Sequence, residues 1–162
     1  MQLQERLAAL PATGAEIWVP LFLGAVAQGY GQGGQVQEGL RVIAEALAMV
    51  EKNEERWNEA ELYRIKGELT LAQSSVQNLE SRVSEAERCF LKAIEIARRQ
   101  QAKSLELRAT VSLARLWQQQ GKRAEAHQIL AEIYNWFTEG FDTKDLQEAK
   151  TLLNELEEKS GD

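Results

Sequence analysis

Residues that commonly carry chemistry are scarce in this chain. Its 162 residues include one cysteine, Cys89, and one histidine, His127. A lone cysteine cannot close an internal disulfide, and it points to a reduced, cytoplasmic setting. A metal site needs several ligands at suitable spacing, and a nucleophilic thiol needs a positioned base. Neither requirement is met by anything the sequence places, so Cys89 reads as a small buried thiol and His127 as a surface or packed side chain. No catalysis, cofactor or metal is expected. Proline is limited to Pro11 and Pro20, and no β-branched run of strand length recurs, which leaves an all-α chain. Long apolar runs are missing too. Ile17 to Ala27 is interrupted by Pro20 and is too short to span a bilayer. The first residues lack the basic region, apolar core and cleavage site of a signal peptide, so no membrane partner is expected. The formal charge of −6 argues against a nucleic-acid backbone as partner.

What the chain does have is a spacing that occurs three times. Leu23-x2-Val26-Ala27-x2-Tyr30, Tyr63-x2-Lys66-Gly67-x2-Thr70 and Thr110-x2-Leu113-Ala114-x2-Trp117 share one register. Each is followed by a small residue with a large apolar one four positions on: Gly39 and Ile43, Ala86 and Phe90, Ala126 and Leu130. This resembles the W-x2-L-G-x2-Y…A-x3-F layout of the tetratricopeptide repeat, in which the two helices of a hairpin touch through small residues. The resemblance implies an all-α, right-handed superhelical solenoid of about three hairpins, with a single domain over 1–162. The repeats fall at about 14–53, 54–102 and 103–138, and a capping helix at about 142–158.

The intervals locate an insertion. Tyr30 to Gly39 and Trp117 to Ala126 are each nine apart, whereas Thr70 to Ala86 is sixteen. Repeat two therefore carries seven extra residues, expected as an exposed polar loop within Gln73–Arg82. The second helix of that repeat is expected after Ser84, with Ser84 and Glu87 forming a capping box. Helix 1B is expected over about Gln35–Lys52 with Val36, Leu40, Ile43, Leu47 and Val50 on one stripe. Helix 2A is expected from about Glu54 to Gln73, helix 3A over Lys103–Gln120 and helix 3B over Arg123–Thr138. Beyond Gly140, a last helix presents Leu146, Ala149, Leu152, Leu153 and Leu156 on one face, as a terminal cap requires. At the other end, Met1–Leu10 could form a short helix, and helix 1A starts near Gly14.

The string Gly29-Tyr30-Gly31-Gln32-Gly33-Gly34 matches G-x-G-x-x-G literally. That motif binds dinucleotides only between a strand and a helix in a βαβ unit. Here Pro20 sits inside the preceding run and no second strand follows, so Gly34 reads as a turn residue equivalent to Gly121.

A narrower resemblance rests on Glu55–Leu69, Ala109–Trp117 and Trp136–Thr143. These segments are similar to the C-terminal repeat region of large bacterial signalling proteins, in which a nucleotide-cyclase or winged-helix module precedes a P-loop ATPase. The resemblance implies a sensor or partner-binding arm. No P-loop or cyclase motif is present here, so those activities do not carry over.

The expected function is therefore a protein-interaction module that takes a peptide or partner domain in a concave groove. Register places Gln28 and Gln32 in that groove from repeat one, Glu61, Arg64 and Glu68 from repeat two, and Arg108, Arg115, Gln118 and Gln119 from repeat three. Leu21, Gly24, Leu71 and Val111 fall on the same faces. The arginines could bind a carboxylate or acidic peptide through bidentate contacts; alternatively they pair with Glu61, Glu68 and Glu106 along the helices. Two other classes stay open. One is a homo-oligomer formed through Ile17, Trp18, Leu21 and Phe22, or through the Trp136/Phe137/Phe141 corner. The other is a small-ligand-sensing arm of an ATPase or cyclase protein.

Overall fold

The computed structural model describes residues 18–74 and 78–158. Among them the chain forms seven α-helices and no strand: α1 Val19–Gln32, α2 Val36–Asn53, α3 Glu59–Ala72, α4 Leu79–Arg99, α5 Lys103–Gln119, α6 Arg123–Tyr134 and α7 Lys144–Glu158. The helix expected over Met1–Leu10, the start near Gly14, and Ile17 lie outside the described residues. No described helix is long and apolar enough to cross a membrane.

Pro20 sits in the first turn of α1, where its missing N–H costs no helical hydrogen bond. The α1–α2 and α5–α6 joints are the same turn built twice. Gly34 and Gly121 hold φ of +77° and +80°, a conformation that a residue without a Cβ adopts at no steric cost. At the first joint Gln35 N–H donates to the Tyr30 carbonyl at 2.8 Å and Gly34 N–H to that of Gly31 at 3.1 Å. At the second, Lys122 N–H donates to Trp117 at 2.9 Å and Gly121 N–H to Gln118 at 3.1 Å. This pairing uses carbonyls that the helix end would otherwise leave bare. Tyr30 and Trp117 occupy one register position in the sequence, so the repeated spacing ends in a repeated joint.

Three helix boundaries differ from expectation. α3 begins at Glu59 rather than Glu54, because Glu54 takes a left-handed conformation that closes α2 and Arg56–Asn58 turn into the next helix. α6 stops at Tyr134, and the chain bends through Asn135–Thr143 before α7. The largest difference is at the insertion. α4 begins at Leu79, and Asn78 caps it by accepting from Glu80 N–H at 3.1 Å. Ser84 lies inside the helix, so there is no capping box there. Seven residues make about two helical turns, so Leu79–Glu85 can wind as extra helix and still deliver Ala86 and Phe90 in register. Glu87 instead accepts the Trp117 indole N–H at 2.6 Å.

Small residues mark the closest approaches. A Cβ on Gly67 would stand 2.5 Å from the Phe90 ring, and one on Gly39 2.9 Å from the Ala27 carbonyl oxygen. The apolar core then steps along the chain. One cluster joins α1, α2 and α3 around Leu23, Ile43 and Leu62. A second centres on Phe90, Leu113 and Leu116 between α4 and α5, and a third gathers Leu107, Leu130, Leu152 and Leu156 from α5, α6 and α7. Each helix packs on its successor, and the odd-numbered helices also touch in turn, α1 with α3, α3 with α5 and α5 with α7. The buried Glu106 carboxylate, 3% exposed, ties α4 to α5 by accepting from Arg98 Nε at 2.8 Å and Lys103 Nζ at 2.9 Å.

Candidate functional site

The odd-numbered helices leave an open cleft of ≈ 600 Å³. Its wall comes from α1, α3, α5 and α7 alone. α1 gives Gln28 and Gln32, α3 gives Glu61, Arg64 and Glu68, and α5 gives Arg108, Val111, Ser112 and Arg115. α7 closes one side with Lys144, Asp145 and Glu148. Seven of the nine groove residues expected from register therefore meet in one cleft. Gln118 and Gln119 do not. They line a smaller recess of ≈ 340 Å³ between α5 and α7, where Gln118 donates to Glu155 at 3.4 Å. Arg115, Lys144 and Glu148 line both cleft and recess. Gly24 is no lining residue either, since a Cβ there would touch Leu62 at 3.0 Å, and Leu71 turns toward the core around Phe90.

The cleft is charged but balanced. Arg64, Arg108, Arg115 and Lys144 face Glu61, Glu68, Asp145 and Glu148. Arg64 grips Glu61 through two bonds, at 2.7 and 3.0 Å, and lies 3.8 Å from Glu68. Burial works against the Arg64 charge, but the hydrogen bond and charge of Glu61 outweigh it, so its pKa rises and it stays protonated. Arg108 donates to Asp145 at 2.8 Å and lies 3.7 Å from Glu61. Arg115 lies 3.6 Å from Glu148, and Lys144 lies 3.8 Å from it. Ser112 donates to Glu68 at 2.7 Å, linking α5 to α3 across the floor. The expected pairing of Arg64 with Glu61 and Glu68 is thus present. Glu106 belongs instead to the α4–α5 clamp, and the partners of Arg108 and Arg115 come largely from α7. The i, i+4 pair Lys144 and Glu148 is the one sequence signal that α7 carries charge to this side.

The N-terminal aromatic face is exposed, with Trp18 at 52%, Phe22 at 48% and Trp57 at 39%. Trp18 and Trp57 meet edge to face at 5.4 Å, and Leu21 is half-buried. His127, on α6, pairs with Glu157 of α7 at 3.0 Å. Cys89 is buried on α4, and that burial raises its pKa; Lys66 lowers it in part and Glu85 raises it further.

No family model matches this chain, and no curated protein matches it.

Proposed function

We propose that the chain is a tetratricopeptide-like repeat, a right-handed superhelical solenoid of three hairpins and a capping helix, and that it works as a protein-interaction module. The observation that carries this reading is the cleft wall, which draws only on the odd-numbered helices. A stack of hairpins leaves one such continuous surface, and stacked repeats use it for binding. The recurring glycine turn and the close approaches at Gly39 and Gly67 support the same arrangement. The ligand is an extended peptide carrying carboxylates. Its acidic groups exchange for Asp145 and Glu148 on Arg108 and Arg115, which keep both arginines paired and exposed in the meantime.

The test is to pan a displayed random-peptide library against the chain and retest the enriched clones on an Arg108→Ala, Arg115→Ala variant. Binding should be lost, and should weaken with salt as charges are screened. Helicity and melting should hold, because exposed ion pairs contribute only about 0.2–1 kcal/mol each. Clones that bind both proteins equally, or a variant that unfolds, would remove the reading.

One observation favours a second reading, homo-oligomerisation. The exposed Trp18, Phe22 and Trp57 form a contiguous aromatic face of the kind that marks interfaces.

A further inference from the structure

A second cleft, of ≈ 540 Å³, lies between α3 and α4, lined in part by residues wound into α4 by the insertion. From α4 it takes Ser81, Ser84, Glu85, Arg88 and Lys92, whose spacing of three and four places them on one stripe. From α3 it takes Tyr63 and Lys66, one turn apart, and Cys89 also lines it.

Its electrostatics are the reverse of the first cleft's. There, every cation has a carboxylate. Here Lys66, Arg88 and Lys92 make no ion pair among the described residues. The hydroxyls of Tyr63, Ser81 and Ser84 likewise make no hydrogen bond among them. Three cations face one carboxylate, Glu85, in a chain whose overall charge is −6. A local excess of positive charge against the sign of the whole molecule is the condition for capturing an anion. Hydroxyl donors beside an arginine fork suit the tetrahedral oxygens of a phosphoryl group.

We propose that this cleft binds the phosphoryl group of a small phosphorylated molecule. Arg88 and Lys66 hold the anionic oxygens from the two helices, Lys92 adds charge at the rim, and the hydroxyls of Ser81, Ser84 and Tyr63 donate to what remains. The site stands apart from the peptide cleft and does not depend on it.

Inorganic pyrophosphate is the probe, titrated calorimetrically into the whole chain at low ionic strength, where screening reaches only beyond about 30 Å. Wild type should give saturable binding. Lys66→Gln with Arg88→Gln should weaken it at least about tenfold, as expected for loss of charge-assisted bonds. Lys92→Gln alone, at the exposed rim, should weaken it less. Arg108→Gln with Arg115→Gln should leave it unchanged. Cys89 is the only thiol in the chain, so pyrophosphate should also slow its alkylation by N-ethylmaleimide. Absence of saturable heat would overturn the proposal, as would citrate binding as tightly as pyrophosphate. So would a Lys66/Arg88 variant that binds like wild type while keeping its helicity, or loss of binding in the Arg108/Arg115 variant.

Discussion

At the scale of single residues, two glycines in helices make opposite predictions. Gly67 faces the Phe90 ring so closely that an added methyl would have to displace ring atoms at 2.5, 2.8 and 3.0 Å. Gly67→Ala should therefore overpack the α3–α4 contact and cost about 1–3 kcal/mol. Gly29 lies in α1, and a Cβ added there would have nothing within 4 Å of it. Gly29→Ala should stabilise by about 0.5–1 kcal/mol, since alanine loses less backbone freedom in a helix. Chemical denaturation of both variants beside wild type checks the pair. A neutral Gly67→Ala would mean that the two helices do not meet there. Cys89 makes a prediction in pH. Burial raises its pKa above the ordinary 9.0, so the folded state holds the thiol proton more tightly than the unfolded chain does. That contribution is complete below 9.0 and is lost as pH rises through the raised folded value. Melting temperature followed across that range should fall less steeply in Cys89→Ala than in wild type, and equal slopes would count against the shift. The contact glycines and alanines are legible in the sequence because close packing leaves few residue types at such positions. The partner of Arg108 is not legible: Asp145 lies 37 positions away, and nothing local to either residue specifies the other.

At the scale of elements, the seven-residue insertion shows what composition hides. Gln73-Ser74-Ser75 and Gln77-Asn78 read as a loop, and composition alone extends that loop through Ser81 and Arg82 because those residues are polar as well. Periodicity says otherwise, since Leu79, Val83 and Ala86 continue one apolar stripe into Phe90, and Val83 packs on the Phe90 cluster. Polar residues on a solvated helix face look like loop residues when counted and unlike them when phased. The difference can be measured. Asn78→Ala removes the cap on α4 and should cost about 0.5–2 kcal/mol, whereas Ser84→Ala, inside the helix, should be neutral or slightly stabilising. The reverse order of effects would place the helix start at Ser84. The Glu106 clamp belongs to the same scale, because it joins the end of α4 to the first turn of α5. Glu106→Gln keeps the shape and removes the charge, and should cost about 1–3 kcal/mol through weakened bonds from Arg98 and Lys103. Urea unfolding of that variant provides the number, and an unchanged midpoint would mean the clamp contributes nothing.

At the scale of the whole molecule, charge and apolar surface are divided among different faces. The odd-helix cleft is neutral in sum, the α3–α4 cleft is cationic, and the aromatic surface lies at the start of α1. That last face is legible as the apolar group Ile17, Trp18, Leu21 and Phe22. Its geometry is not, because Trp57 reaches Trp18 from the loop before α3, a contact no repeat register contains. If the face is an interface between copies, the aromatic side chains supply its apolar centre, and aromatic residues there carry a disproportionate share of association energy. Wild type should then sediment as a dimer at micromolar concentration, and Trp18→Glu with Phe22→Glu should sediment as a monomer. Both residues are about half exposed, so the variant should keep its helicity, which separates lost association from lost folding. Trp57→Ala should weaken the dimer less, because it supports Trp18 from the side and is the least exposed of the three. A monomeric wild type would leave the odd-helix cleft as the remaining route to a macromolecular partner, whereas a dimer unaffected by the double substitution would place the interface on another face.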